Sequence, residues 1–351
     1  MYLRQLFLIL LFFITTGCGP SDPPEDQPDL RVRFSLTPPE AVTVPANASS
    51  VRMAVIVFEA GPRAIQLEGL QLRHIGVGSP SDFQNIYLYD AYDRYSAFDG
   101  FRLTPGRSID AATGNIQFYL PMEADRTIPA GGSRTFAIIA DFGASSIGGQ
   151  HGFELVSATA IYSSDTPTIE GDFPLTTNLF VVGEAGPRID VRSGPTPADP
   201  VSGSANVEIT SFTLESVGQS VSLDRITLSE TGTIASEDLA NLQLYAGADL
   251  ITLTESVDPL YEHMTFGFVP SYRLDADTPV TFTVRATVSG PPDRTIRTCI
   301  EYPVDILARS VETGGEAAIC ISPLADGGCS APGQGSFNGT VPGTYVSVTT
   351  R

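Results

Sequence analysis

Residues 51–94, VRMAVIVFEAGPRAIQLEGLQLRHIGVGSPSDFQNIYLYDAYDR, align without a gap on residues 207–250, VEITSFTLESVGQSVSLDRITLSETGTIASEDLANLQLYAGADL, at an offset of 156. Ten of the 44 pairs are identical: Val51/Val207, Glu59/Glu215, Leu67/Leu223, Leu72/Leu228, Gly76/Gly232, Asp82/Asp238, Asn85/Asn241, Leu88/Leu244, Tyr89/Tyr245 and Asp93/Asp249. The apolar pattern agrees at further positions, among them Met53/Ile209, Ile56/Phe212, Leu70/Ile226 and Ile86/Leu242. Beyond this block TFAIIADF (135–142) falls on TFTVRATV (281–288), and ATAI (158–161) on ARSV (308–311), with the drift in offset that loop insertions leave. Self-similarity on this scale marks two copies of one structural plan. The copies are expected at residues 31–182 and 188–351, with GEAGP (183–187) as their junction.

Within each copy, stretches of five to nine residues rich in Val, Ile, Thr, Phe and Tyr alternate apolar with polar positions, separated by Gly, Pro, Asn, Asp and Ser. Such segments are strands. The alternation slips by one between Met53 and Ile56 and between Leu67 and Leu70, at equivalent places in both copies, which is the trace a β-bulge leaves. No segment keeps a helical period. About eight strands per copy predict an all-β fold of two tandem Ig-like β-sandwich domains, with a closed barrel as the alternative. A length of 351 residues fits two domains, and 42% hydrophobic with 17% charged residues fits a folded chain. Forty acidic residues face 20 basic ones, all arginine, for a formal charge of −20. That balance repels a phosphate backbone, so nucleic acid is not an expected partner.

The N-terminus reads MYLRQLFLILLFFITTGC, with Arg4 ahead of an apolar run and small residues directly before Cys18. The run is too short to span a bilayer and has the shape of a secretory signal. The ending ITTGC resembles the lipobox of bacterial lipoproteins, although Thr15 stands where leucine is commonest. The resemblance implies removal of residues 1–17, acylation of Cys18 and attachment to the membrane through lipid. Gly19, where an Asp would favour the inner membrane, implies the outer membrane. GPSDPPEDQPDL then reads as an extended proline- and acid-rich tether over residues 18–30.

DFQNIYLYD (82–90) and DLANLQLYA (238–246), with TIPAGGSRTF (127–136) later in the first copy, resemble the sandwich repeats of bacterial surface-layer and other envelope proteins. The second copy departs from the pattern, with LDADTP (274–279) in place of IPAGGS. The resemblance implies structural or adhesive work at the cell surface and names no substrate.

Four shared residues, Asp82 with Asn85 and Asp238 with Asn241, sit just before a strand, where a short polar side chain can accept backbone N–H groups and set an Asx-turn. Their expected role is architectural, and no metal site is assigned to them. The loop from Asp90 to Asn115 carries Asp90, Asp93, Asp99 and Asp110; it matches no calcium-loop spacing and reads as solvated acidic surface. His74, His151 and His263 are isolated in sequence from one another and from cysteine. No nucleophile elbow, P-loop or dinucleotide fingerprint occurs, so neither enzymatic activity nor a cofactor is expected. With Cys18 acylated, Cys299, Cys320 and Cys329 allow one disulfide and one odd thiol, the short loop between Cys320 and Cys329 being one candidate and Cys299 able to reach either. The resulting expectation is an envelope lipoprotein with a structural, adhesive or partner-binding role toward a protein or polysaccharide component. The alternative is a glycan-binding or glycan-processing lipoprotein, which the absence of tryptophan disfavours while 12 tyrosines remain to stack on sugars.

Overall fold

A computed structural model of the chain describes residues 27–35, 43–91, 101–122, 126–143, 147–259 and 261–321, together with the backbone of 341–342 and 346–347. The signal-like segment, Cys18, most of the tether, Asp93, Asp99 and Cys329 lie outside the described residues. The principal strands of the first half are β1 (Leu30–Phe34), β2 (Val51–Ala60), β3 (Ile65–Ile75), β4 (Phe83–Asp90), β5 (Asn115–Tyr119), β6 (Ser133–Phe142), β7 (Gln150–Leu155), β8 (Ile161–Ser163) and β9 (Phe180–Ala185). Those of the second half are β10 (Arg188–Ser193), β11 (Ser204–Val217), β12 (Val221–Glu230), β13 (Leu239–Ala246), β14 (Asp249–Ser256), β15 (His263–Leu274), β16 (Val280–Val288), β17 (Thr298–Ile300), β18 (Ile306–Ser310) and β19 (Ala318–Ile321).

The fold is all-β, and each half is a two-sheet, Ig-like sandwich. In the first, a front sheet runs β1–β2–β6–β4, with the short strand Ile169–Glu170 parallel to β1 at its edge. The second half repeats it as β10–β11–β16–β13, with β19 parallel to β10. The back sheets are built around β3, flanked by β5 on one side and by β8 and β7 on the other, and around β12, flanked by β15 and by β18 and β17. Register shifts fall between Arg52 and Ala54 and between Glu208 and Thr210 in the front sheets, and between Leu223 and Arg225 in the second back sheet. The β3–β8 ladder shifts opposite Leu67 and Gly69. These are the bulges that the slipped alternation predicts. Inward-facing residues of each sandwich form one cluster, from Leu30 to Val182 in the first half and from Ile189 to Ile321 in the second.

Two boundaries differ from the sequence reading. Leu30 is fully buried in the first core, and Asp29 just before it is held by Arg63 (Nε–Oδ1 2.6 Å) and Thr168, so the extended tether ends before Asp29. At the other end β9 carries its pairing to Ala185, opposite Ala46, and β10 starts at Arg188. Only Gly186 and Pro187 separate the strands, and a Cβ on Gly186 would stand 2.9 Å from Pro45. The connection is short and crowded rather than a free linker.

The halves differ in how their front sheets treat their outer faces. On the second half that face carries Thr213, Gln243, Tyr245, Thr283 and Arg285, all part-exposed, and burial alternates along β16. On the first half the equivalent positions are Val57, Tyr87, Tyr89, Ala137 and Ile139, all buried, and β6 is buried continuously from Thr135 to Phe142. A strand buried on both faces must be apolar on both. What covers the first front sheet is the second half: Val55, Tyr87, Tyr89, Ala91, Ala137 and Ile139 form a separate apolar cluster with Val304, against which Tyr302 packs. The second half presents the outer face of its own back sheet, so the four sheets are stacked in series.

This arrangement predicts opposite outcomes for two exchanged residues. Ile139→Arg places a charge in the seam and costs about 3 kcal/mol or more, lowering the melting temperature by on the order of 5–10 °C. Arg285→Ile, the reverse change at the equivalent position, stays within about 1 kcal/mol. Thermal unfolding followed by circular dichroism distinguishes the two, and equal shifts would contradict the stacking.

Candidate functional site

The seam between the halves gathers several of the buried ionisable groups. Arg102, on the short strand Phe101–Arg102 that pairs with β4, is almost fully buried and pairs with Glu301 (Nη2–Oε2 2.5 Å) and Asp305 (Nε–Oδ1 3.5 Å), its guanidinium 4.3 Å from the centre of the Tyr302 ring. Asp305 is itself fixed, accepting the backbone N–H groups of Glu301 (3.1 Å) and Tyr302 (2.8 Å). From β12, Arg225 lies over the Tyr89 ring at 5.7 Å. On the first half, Asp141 accepts the Ser50 N–H (2.9 Å) and the Tyr87 hydroxyl (2.7 Å), while the Ser50 hydroxyl donates across the seam to the carbonyl of Ile306 (3.2 Å). Burial pushes the Asp141 carboxyl up to about 7 even though both hydrogen bonds oppose the shift. Tyr87 is pushed well above its ordinary value, first by burial and then by Asp141.

At the far side of the first half, no described residue covers the outer face of the back sheet. Three cross-strand rows lie on it: Tyr162, Gly69 and Tyr119; Gln71 and Gln117; Glu154, Arg73 and Asn115. The Tyr119 and Tyr162 rings stack 5.5 Å apart at 14°, and Tyr119 is 54% exposed. Grooves of 570 and 320 Å³ border the face, with Thr113 and Asn115 in the lining of both. Spacing along the chain gives no hint of this set, because its members come from four strands of one sheet.

The four turn residues divide. Asp82 closes the 3-10 turn Pro80–Asp82 by accepting the Ser79 N–H (2.8 Å), as a turn-setting carboxylate should. Asp238 occupies the equivalent turn, where Ala235 supplies no side-chain cap, and its backbone carbonyl accepts the Ser289 N–H (2.9 Å) just as that of Asp82 accepts Gly143 (2.7 Å). The asparagines do not set the turn. Asn85 lies inside β4 at a register shift, with its Nδ2 buried and unpartnered among the described residues and a Cβ on Gly106 only 2.3 Å from its Oδ1. Asn241, at the matching shift in β13, has φ +50°, a conformation asparagine tolerates better than most residues, and its amide reaches Thr287 (3.4 Å). Their shared position serves the bulge. Of the acidic loop, Asp90 pairs with Arg134 (2.5 Å) and Asp110 accepts the N–H groups of Ala112 and Thr113. No cluster of three metal-ligating side chains occurs among the described residues.

Contrary to their isolation in sequence, His74 and His151 meet across the β3–β7 pairing, Nε2 to Nδ1 at 3.1 Å, and the other nitrogen of His151 lies 3.3 Å from Asp82. Asp82 and His74 approach opposite sides of the same ring, so the three cannot converge on one metal ion. Phe83, Phe142 and Phe153 pack around them. Burial holds His151 down at about 4, helped by His74, and lowers His74 as well. His263 sits in the seam, where burial and then Arg102 hold it at about 4. Cys299 also lies at the seam as a buried free thiol, which removes it from the disulfide candidates; burial pushes its thiol up to about 12. Cys320 is disulfide-bonded, with its partner outside the described residues.

The sequence matches no protein-family model, and no curated protein matches it. Among solved structures the chain is similar to the C-terminal domain of the antigen I/II-family protein AspA of Streptococcus pyogenes, with 8% identity over 83% of this chain and 97% of that one, at a TM-score of 0.24. The C-terminal domain of the antigen I/II polypeptide BspA of Streptococcus agalactiae gives the same four values. The major capsid protein P2 of bacteriophage PM2 matches with 12% identity over 74% of this chain and 97% of its own, at 0.19.

Two outcomes follow from the buried groups. A histidine held near 4 in the fold and near 6.5 in the unfolded chain leaves the unfolded state holding more protons between those values, so stability falls as pH drops through that window. Asp141 has the opposite sign: raised from 3.8 to about 7, its carboxyl lowers stability as pH rises through that range. His151→Gln therefore flattens the acid-side loss of melting temperature, and Asp141→Asn removes the opposing slope. Parallel pH profiles for all three proteins would contradict the assignments. In denatured, unreduced protein, alkylation and peptide mapping should label Cys299 and not Cys320, while native Cys299 stays unlabelled; a labelled Cys320 would refute the bridge.

Proposed function

We propose that this chain is a lipid-anchored protein of the bacterial envelope, held by Cys18 at the outer membrane, with a structural or adhesive role toward another envelope protein or polysaccharide. The observation that carries the reading is the seam. A chain that buries Ile139, Tyr87 and Asp141 between two sandwiches makes one stiff, four-sheet stack rather than two beads on a string. Such a body, set off from the membrane by a proline-rich tether, is suited to holding a recognition surface at a fixed distance and orientation. Three features support the same reading: the ITTGC motif at Cys18, the acidic tether, and grooves that open on a sheet face rather than sinking into a cleft. The reading assigns no catalysis: Arg102 is paired with Glu301 and Asp305 across the seam, and Asp141 is engaged by Ser50 and Tyr87 within the first half.

Replacing Cys18 with Ser should release the protein from the membrane fraction, and mass spectrometry of the native protein should find an acylated Cys18 as the first residue. A mature N-terminus at any other position would contradict the anchor.

A further inference from the structure

The two halves act as controls for one another. The second half docks through the outer face of its back sheet, where Arg225, Thr227 and Ser229 of β12 are buried. The equivalent positions on β3 are Gly69, Gln71 and Arg73, on a face that no described residue of the chain covers. Their identities are therefore not dictated by the docking that the repeat uses elsewhere.

What stands there is a preset array of hydrogen-bonding groups beside an aromatic platform. A Cβ at Gly69 would fall 2.1 Å from the Phe118 carbonyl oxygen, and the Tyr119 and Tyr162 rings stack on either side of that gap. One row along, Gln117 Nε2 donates to Gln71 Oε1 (2.9 Å), the Tyr162 hydroxyl donates to the same oxygen (3.1 Å), and the Tyr119 hydroxyl donates to Gln117 Oε1 (3.3 Å). Both amides are thereby fixed in orientation, and the two N–H donors of Gln71 have no protein acceptor among the described residues. In the third row Arg73 and Glu154 pair with one another, so their charges cancel. In a chain of net charge −20, this face is close to neutral.

Uncharged amides held in place next to a half-exposed aromatic ring match the surface of a pyranose, which offers vicinal hydroxyls at its rim and C–H groups on its face. The two grooves, which share Thr113 and Asn115 in their linings, each have room for part of a short oligosaccharide. A nucleic acid fails on charge. A second copy of the chain fails on chemistry, since the opposite end of the stack carries Thr213, Thr283 and Arg285 where the seam uses Val57, Ala137 and Ile139. We propose that the open face of the first back sheet, centred on Gln71, Gln117 and Tyr119, is a binding site for an uncharged oligosaccharide. This deepens the adhesive reading above, on which it rests, by naming the class of ligand.

The test is calorimetric titration of the purified full-length protein with cellohexaose, chitohexaose and mannohexaose as uncharged probes and hexagalacturonate as the charged one. At least one uncharged hexasaccharide should bind in the micromolar to millimolar range. Tyr119→Ala and Gln117→Ala, both at exposed positions, should each weaken it about tenfold, equivalent to about 1.4 kcal/mol, while Thr283→Ala at the far end changes nothing. The proposal is overturned by failure of all three uncharged probes at millimolar concentration, by binding of hexagalacturonate alone, or by undiminished binding in Tyr119→Ala. Because the assay needs no membrane, its failure leaves the Cys18 anchor untouched, and loss of the anchor leaves the binding result standing.

Discussion

A β-sheet buried on both faces is the constraint on which the rest of this molecule depends. The front sheet of the first half gives one face to its own core and the other to the second half, and neither side leaves room for the polar alternation that its counterpart keeps. Each fully buried aliphatic side chain on the outer face is worth about 1.5–3 kcal/mol relative to exposure. Val55, Val57 and Ile139, together with Tyr87 and Tyr89, therefore make the seam comparable with a small domain core. The short Gly186–Pro187 connection is a consequence, since stacked halves need no reach between them.

The polar groups in the seam serve a different purpose from the apolar ones. Burying Arg102, Asp305 and Asp141 costs desolvation that hydrophobic residues of similar volume would avoid. What the pairs add is direction: Arg102 fits only where Glu301, Asp305 and the Tyr302 ring coincide, and Ser50 reaches the Ile306 carbonyl in one register. An apolar seam alone would tolerate sliding of one sheet over another. With the charges in place, the relative orientation of the halves is set, and with it the direction in which the open Gln71–Tyr119 face points.

Much of the fold was legible in the sequence because it is written in periodicity. The repeat, the strands and the slipped alternation at Met53 and Leu67 all survive as patterns along the chain, and the structure places register shifts at or beside them. The stack leaves a trace too, in the contrast between FAIIAD and FTVRAT, but a continuous apolar run reads as core whichever neighbour supplies the cover. The site was far less visible. His74 and His151 meet across 77 residues of chain, and Gln71, Gln117 and Tyr162 come from three strands, so no local spacing encodes either set. Asn85 and Asn241 are equivalent, as the repeat implies, yet they shape a bulge instead of setting a turn. An asparagine just inside a strand suits either purpose, and only backbone geometry separates the two.

That the two halves form one rigid body can be tested without any substitution, by residual dipolar couplings of backbone amides from both halves in one weakly aligned sample. A single alignment tensor should fit the couplings of residues 43–91 and 133–142 together with those of 204–256 and 263–310 on this structure. Two tensors of different magnitude or axis, one for each half, would show that the seam does not hold in solution and would contradict the stacked arrangement.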